Sequence, residues 1–129
     1  GTRVASYNPW IALYWITTGK TVGGNQVMAK SNTISRIDAL RLATHKGYEL
    51  LKEPNKGKIQ KGYYADVVIL DQDYLTIPDQ AIKNVTSELT IVDGKIVYGN
   101  KAYKMFAPTP LPVIPNWSPV KYFGGYQHQ

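Results

Sequence analysis

Hydrophobic positions in the first part of the chain follow a helical pattern. Asn8 followed by Pro9 is typical of a helix start, because the Asn side chain accepts from free backbone N–H groups and Pro tolerates the first turn. The pattern predicts a helix over residues 10–18 that ends before Gly19, a common residue just past a helix. This helix is apolar on nearly every face, so we expect it to need packing partners on several sides.

A second helical pattern follows a predicted loop over residues 18–32. Ser35 and Asp38 have the spacing of a capping box, which places the helix start at Ser35. Gly47 is predicted to break or kink this helix, and residues 48–51 are predicted to add a further turn.

Farther along, the period becomes strand-like. Residues 65–70 form a continuous apolar run, which predicts a buried strand. Apolar segments at residues 85–92 and 95–98 flank the pair Asp93-Gly94. Because both turn positions favour positive φ, this pair is a strong signal for a β-hairpin.

The last part of the chain is rich in proline, with five prolines between residues 108 and 119. Proline supports extended backbone but donates no ladder hydrogen bond. Aromatic residues punctuate this segment, and we expect it to dock as a tail onto a surface. The patterns together predict an α+β fold in three parts: a helical segment at residues 1–53, a β portion at residues 54–106 and the tail at residues 107–129.

Composition narrows the function classes. The chain has 129 residues, of which 43% are hydrophobic, as in a globular domain. The net charge of +6 leaves anionic partners open, but the basic residues are spread along the chain and no RNA or DNA recognition motif occurs. We therefore expect a solvated lysine-rich surface at residues 52–61 and no nucleic-acid partner.

The sequence says little about the compartment in which the protein is found. The chain contains no cysteine, which excludes disulfides and thiol catalysis but does not choose a compartment. The apolar run at residues 4–16 is too short to span a bilayer and is interrupted by Asn8 and Pro9, so no membrane partner is expected. No targeting signal is recognised; the compartment stays open, with a cytoplasmic location slightly favoured.

Candidate chemistry is sparse. A hydrolytic metal site needs at least three convergent ligands and an open position for water. The chain has two histidines, His45 and His128, in no ligand motif. We therefore predict no catalytic, cofactor-binding or metal-binding residue in this chain. The phosphate-loop resemblance at residues 19–21 is rejected, because it follows a helix and lacks the earlier glycine.

Several segments nevertheless occur in a recognisable order. They are VASYNPW at residues 4–10, GKTVGG at 19–24, SRIDALRLAT at 35–44, GKIQKGYYADVVILD at 57–71 and LTIVDGKIVY at 89–98. This order resembles the carboxyl-terminal end of the amidohydrolase superfamily. Within it, the chain is most similar to the YtcJ-like branch, which includes proteins named exoenzyme regulatory protein AepA.

The resemblance implies a (β/α)₈ barrel upstream of residue 1 that holds one or two divalent metal ions, zinc or iron. It also implies that this chain supplies the last helices of that barrel and part of a small composite β-sandwich, which takes further strands from the amino terminus of full-length relatives. None of the family's metal ligands falls on a residue of this chain. The expected partners are the missing barrel and, for the isolated chain, a second copy that covers unpaired edges.

Two functions follow from this sequence. The first is a carboxyl-terminal fragment, inactive alone, of a metal-dependent amidohydrolase that acts on non-peptide carbon–nitrogen bonds. A barrel of this type takes about 250 residues, roughly twice this chain, which agrees with a part located upstream. The alternative is a non-catalytic interaction, oligomerisation or regulatory module. Nucleic-acid binding is a weaker third possibility.

Overall fold

The computed structural model describes residues 7–109. Among these residues, three α-helices are followed along the sequence by three β-strands: α1 (Pro9–Thr18), α2 (Arg36–Arg41), α3 (Gly47–Leu50), β1 (Val67–Leu70), β2 (Ser87–Val92) and β3 (Lys95–Gly99). Short 3₁₀ helices lie at Lys30–Asn32, Asp79–Asn84 and Lys101–Phe106, and a π-helical turn lies at Leu42–Lys46. The predicted α+β class is thus confirmed, whereas the predicted tail beyond residue 109 lies outside the described residues.

Helix α1 begins and ends as its sequence predicts. The side chain of Asn8 accepts from the backbone N–H of Trp10 at 2.9 Å, and Pro9 occupies the first helical position. Gly19 closes the helix with a φ of +71°, and its N–H donates to the carbonyl of Trp15 at 2.7 Å. A side chain on Gly19 would lie 2.7 Å from the carbonyl oxygen of Met28, so this position also needs a residue without Cβ.

The second helical region is kinked, but not where the sequence analysis predicted. Ser35 accepts from the N–H of Asp38 at 3.1 Å and caps α2 as expected. Gly47 has ordinary helical angles (φ −61°, ψ −44°), so the predicted break at Gly47 is wrong. The irregular residue is Thr44 (φ −116°, ψ −113°), whose hydroxyl donates to the carbonyl of Leu40 at 2.8 Å. Such side-chain bonds to the preceding turn compete with the helical ladder and bend helices.

The strands form one antiparallel sheet with the order β1-β2-β3. The predicted hairpin is confirmed, since Asp93 (φ +50°) and Gly94 (φ +72°) form its two-residue turn. The predicted burial of β1 is wrong: the side chains of Val68 and Ile69 are exposed. Within residues 7–109 the sheet has three strands and no second sheet layer covers it, which leaves these apolar side chains uncovered.

The main core lies among the helices. Helix α1 packs against α2 and against the 3₁₀ helix Asp79–Asn84. The buried cluster consists of Leu13, Tyr14, Ala39, Tyr74 and Ile82. On the other side of α1, Trp15 remains 47% exposed, so the helix is covered on fewer sides than its apolar sequence would favour.

Two polar side chains, those of Gln80 and Arg36, tie this core together. The side-chain amide of Gln80 donates to the hydroxyl of Tyr14 at 3.0 Å. The guanidinium of Arg36 donates to the carbonyl of Tyr74 at 2.8 Å and pairs with the carboxylate of Asp79 at 2.6 Å.

In the part of the chain that the structure describes, helices are too short or too polar to cross a membrane.

Candidate functional site

The histidines do not gather into a ligand cluster in the described residues. His45 lies half-buried in the π-helical turn, and His128 lies outside the described residues. Across residues 7–109, no group of three or more His, Cys, Asp or Glu side chains is placed to hold a metal ion. The described residues therefore do not fit the three-ligand set that a hydrolytic metal site requires.

A cleft of about 440 Å³ lies in the lysine-rich part of the chain, and we call it the lysine–tyrosine cleft. Its lining residues are His45, Tyr48, Glu49, Lys52, Glu53, Pro54, Asn55, Lys56, Lys58 and Tyr63. The ammonium of Lys56 lies 5.6 Å from the ring centroids of both Tyr48 and Tyr64, and that of Lys58 lies 6.0 Å from Tyr63. The faces of these tyrosine rings are thus in contact with lysine ammonium groups of the same chain.

Carboxylates offset the positive charge of this cleft. Lys56 donates to Glu53, and this hydrogen bond raises the pKa of Lys56. Lys46 donates to Glu49 at 2.7 Å, and this hydrogen bond lowers the pKa of Glu49. Because these pairs face solvent, their charges offset each other locally but add little to stability.

A close backbone approach shapes the same loop. Gly57 has a φ of +77°, and a Cβ added there would lie 2.6 Å from both the nitrogen and the Cα of His45. Only glycine satisfies both the left-handed conformation and this contact. The structure thus gives a packing reason for the glycine that opens the GKIQKGYYADVVILD segment.

The aspartates of that segment also have structural roles. At one end of β1, Asp66 accepts from the backbone N–H of Asp93 in the hairpin turn at 2.8 Å. At the other end, Asp71 accepts from both the N–H and the hydroxyl of Thr86 just before β2. Sequence reasoning quoted both aspartates without assigning them a role; the available signal was an apolar run with a carboxylate at each end.

A second cleft, of about 500 Å³, lies between the start of α1 and the sheet, and we call it the aromatic cleft. Its lining residues are Tyr7, Asn8, Pro9, Trp10, Val85, Thr86, Ser87, Tyr98 and Asn100. The ring of Trp10 packs against the ring of Tyr74 at a tilt of 46°, with centroids 5.5 Å apart. The lining combines ring surfaces with amides and hydroxyls and has no charged side chain. Such a surface is suited to binding rather than to proton transfer.

Two sequence motifs can be placed on the structure. Gly19, in the rejected phosphate-loop resemblance, is the residue that closes α1, which agrees with that rejection. Asn84, which is exposed, begins the triplet Asn84-Val85-Thr86 and so matches the Asn-x-Ser/Thr acceptor pattern for glycosylation. A second such triplet, at residues 116–118, lies outside the described residues.

Comparison with known protein families shows to which family this chain belongs. The sequence model of the amidohydrolase family matches residues 2–98, which is most of the chain. The chain belongs to the amidohydrolase family. A search of curated proteins found no match, and a search of solved structures found none. The family membership predicted from the order of the sequence segments along the chain is therefore confirmed at the level of this family.

Proposed function

We propose that this amidohydrolase chain is the carboxyl-terminal part of a metal-dependent hydrolase of the YtcJ-like branch, which includes the AepA-like proteins. The parent enzyme would hydrolyse non-peptide carbon–nitrogen bonds, amide or cyclic. The observation that carries this proposal is the family match over residues 2–98, together with the order of the family segments along the chain.

Uncovered apolar surface supports a further packing layer. Trp15 on α1 is 47% exposed, and Val68 on β1 is 46% exposed. Large apolar side chains in the middle of regular elements are usually covered, because burial of their surface is favourable. We infer that a barrel supplied by another part of the parent protein covers α1, and that further strands complete a sandwich over β1.

The catalytic metal, zinc or iron, is assigned to that barrel. The described residues do not fit a metal ion, so no step of the reaction is assigned to them. When bound, such an ion supplies an activated water at neutral pH. In this proposal, the part of the chain that the structure describes buries apolar surface of the barrel and positions its last helices.

The same exposed side chains favour the alternative function, a non-catalytic interaction or regulatory module. A self-associating chain would also cover Trp15 and Val68, and we propose that the isolated chain forms homo-oligomers for this reason. The two functions differ in what the natural reading frame encodes: a metal-binding barrel in the first, and no barrel in the second.

The decisive experiment expresses the reading frame from its natural start and measures metal content and hydrolysis of a panel of amides and cyclic amides. We expect a longer protein with bound divalent metal and hydrolytic activity. A natural reading frame without a barrel would favour the interaction module. Tight metal binding with amide turnover by the 129-residue chain alone would overturn the assignment of the metal to another part.

Variants of this chain test the packing claim within the longer protein. Trp15→Ala is expected to destabilise that protein by about 3–5 kcal/mol, the cost of truncating a buried Trp, but to have a smaller effect in the isolated chain. Met105→Ala is the matched control, because Met105 is among the most exposed apolar side chains described. Equal effects of Trp15→Ala in both proteins would contradict a barrel packed on this face of α1.

A further inference from the structure

The turn of the β2–β3 hairpin contains an aspartate whose neighbour favours a spontaneous covalent change. The backbone nitrogen of the residue after an aspartate can attack the side-chain carboxyl carbon of that aspartate and close a five-membered succinimide ring. A side chain on the attacking residue hinders this reaction, and glycine has none. The chain contains six aspartates, of which Asp93 alone is followed by glycine. Ring closure is therefore chemically easiest at Asp93.

The surroundings of the turn leave room for this ring and admit water. Both Asp93 and Gly94 are exposed. No atom lies within 4 Å of the position that a Cβ on Gly94 would take. A cleft of about 450 Å³ opens beside the turn, and Asp93, Gly94 and Ala65 are among its lining residues. Water, which the reaction first releases and then consumes, can therefore reach the reacting atoms.

Two residues that precede β1 restrain the turn through hydrogen bonds. The carboxylate of Asp66 accepts from the backbone N–H of Asp93 at 2.8 Å, and the carbonyl of Ala65 accepts from the backbone N–H of Gly94 at 3.2 Å. The second bond engages the nitrogen that must attack, so the turn has to leave Ala65 before the ring can close. This bond is at the long end of the usual range and lies at exposed residues, which favours local opening.

We propose that Asp93 is a site of spontaneous isoaspartate formation, and that Ala65 and Asp66 restrain the reaction in the folded chain. The nitrogen of Gly94 forms a bond to the Cγ of Asp93, while its hydrogen and the hydroxyl of the protonated carboxyl group leave as water. Water then adds to the backbone carbonyl carbon of Asp93 and breaks the bond from that carbon to the nitrogen of Gly94. Gly94 remains linked through Cγ, and the chain and water are the only reactants.

The product would no longer fit the hairpin. An isoaspartyl link adds one methylene to the backbone of a two-residue turn, whose geometry is matched to the twist of its strands. Val92 and Lys95 pair directly across this turn, so the longer connection disturbs their register first. This inference uses only the hairpin and its contacts, and it holds whether or not the chain belongs to a hydrolase parent.

Ageing of the full 129-residue chain at neutral pH in water enriched in heavy oxygen tests the proposal. Hydrolysis of the succinimide adds one heavy oxygen at the reacting aspartate, and mass spectrometry of peptides digested in ordinary water locates it. We expect label at Asp93, together with a separately eluting isoaspartyl peptide. We expect none at Asp79, whose side chain is 62% exposed but which is followed by Gln80. Labelling of Asp93 no higher than that of Asp79, in the folded chain and in guanidinium chloride, would overturn the site.

A pair of variants tests the restraint. Asp66→Ala removes the carboxylate that holds Asp93 and is expected to raise the labelling rate at Asp93 several-fold. Asp71→Ala is the matched control, because it removes a carboxylate at the other end of β1 that accepts from Thr86 and not from the turn. A much smaller increase is expected there, and equal increases would overturn the restraint. If Asp66→Ala fails to fold, the parent chain in guanidinium chloride replaces it: a rate no faster than in the folded chain would also overturn the restraint.

A third variant tests the route of the reaction. Gly94→Asn adds a side chain beside the attacking nitrogen, and asparagine is one of the residues that tolerate the positive φ of +72° at this position. Since no atom lies within 4 Å of the added Cβ, the turn has room for this side chain. Labelling at Asp93 is expected to fall to the level of Asp79. Unchanged labelling would overturn ring closure through the nitrogen of residue 94.

Discussion

The carboxylate of Asp71 binds both donors of a single residue, Thr86. Its Oδ1 accepts from the backbone N–H at 2.8 Å, and its Oδ2 accepts from the hydroxyl at 2.9 Å. The backbone N–H of Asp71 donates in return to the carbonyl of Thr86 at 3.0 Å. This three-bond clasp joins the end of β1 to the start of β2 next to a register irregularity between Ile69 and Leu70. The final Asp of the family segment therefore fixes strand pairing.

Removing either partner of this clasp is expected to weaken the fold by different amounts. Asp71→Ala removes both acceptors and is expected to lower the free energy of unfolding by about 1.5–3 kcal/mol, the range for hydrogen bonds to a charged group. Thr86→Val removes only the hydroxyl bond and is expected to cost about 1 kcal/mol. Urea unfolding followed by circular dichroism measures both values.

Thr90→Val is the matched control for the clasp. Thr90 also lies in the β1–β2 pair, opposite Val68, but no side-chain hydrogen bond of Thr90 is found among the described residues. This substitution is expected to stay within about 0.5 kcal/mol of the parent chain. A Thr86→Val cost as large as that of Asp71→Ala would contradict the two-acceptor account.

A second prediction concerns why position 57 needs glycine. Gly57 and Gly62 share a backbone conformation but differ in how closely other atoms approach them. Gly57 (φ +77°) would place a Cβ 2.6 Å from the backbone of His45, whereas Gly62 (φ +85°) has no atom within 4 Å of that position. Gly62→Ala is expected to cost about 1–2 kcal/mol from the left-handed conformation alone. Gly57→Ala carries this cost and a steric clash in addition.

Thermal unfolding of the two variants measures the difference. The melting temperature is expected to fall clearly further for Gly57→Ala than for Gly62→Ala, and the gap reports the steric part. Equal shifts would mean that the loop around His45 moves away without cost, and the close packing of Gly57 would then have no energetic importance.

Much of the local structure was predictable because it depends on neighbours in sequence. The Asn8-Pro9 start of α1, its end at Gly19 and the Asp93-Gly94 turn all follow from short-range rules for caps and turns. The kink at Thr44 was missed, because Gly47 carried the stronger local signal. At the kink, the Thr44 hydroxyl donates to the carbonyl of Leu40, but the same kind of bond from Thr17 and Thr18 leaves α1 regular, so a threonine in the sequence does not by itself predict a kink.

Contacts between distant segments were not predictable. Nothing in the pattern around Gln80 shows that its amide reaches Tyr14, 66 residues earlier in the chain. The apolar run at β1 was predicted to be buried, but burial depends on which layer covers a strand, and the exposed side chains of Val68 and Ile69 show that this layer is not among residues 7–109. That the chain as a whole contains no catalytic residue remains a prediction.

The two core tyrosines differ in the state of their hydroxyls, and this predicts opposite effects of the same substitution. The hydroxyl of Tyr14 accepts from Gln80, whereas the buried hydroxyl of Tyr74 has no hydrogen-bond partner among the described residues. Tyr14→Phe is expected to cost about 1 kcal/mol, because it removes this hydrogen bond. Tyr74→Phe is expected to be neutral or stabilising, because it removes an unsatisfied polar group. Denaturant titrations that rank the two variants the other way would contradict this assignment.

The same tyrosine predicts a pH effect. Burial raises the pKa of Tyr74 above its ordinary value of about 10, with the nearby Arg36 acting in the opposite direction. Above the unfolded pKa, the folded state therefore binds more protons than the unfolded state, so stability falls as pH rises through the folded pKa. Below about pH 10 this contribution is fully present. Tyr74→Phe is expected to show a shallower loss of stability above pH 10 than the parent chain, and parallel curves would contradict it.

Self-association of the isolated chain is the remaining expected consequence of its uncovered sheet. Val68 is 46% exposed in the middle of β1, where a second packed layer normally covers such a side chain, whereas Val22 is 55% exposed in a loop. Multi-angle light scattering over a wide concentration range is expected to show oligomers of the parent chain. Val68→Lys is expected to shift the population toward monomer, because a charge buried between apolar surfaces without a partner is costly. Val22→Lys, which adds the same charge at a similar exposure outside the sheet, is expected to leave the distribution unchanged. A parent chain that stays monomeric at every concentration would contradict association through the sheet, and equal effects of both lysines would assign it to net charge instead.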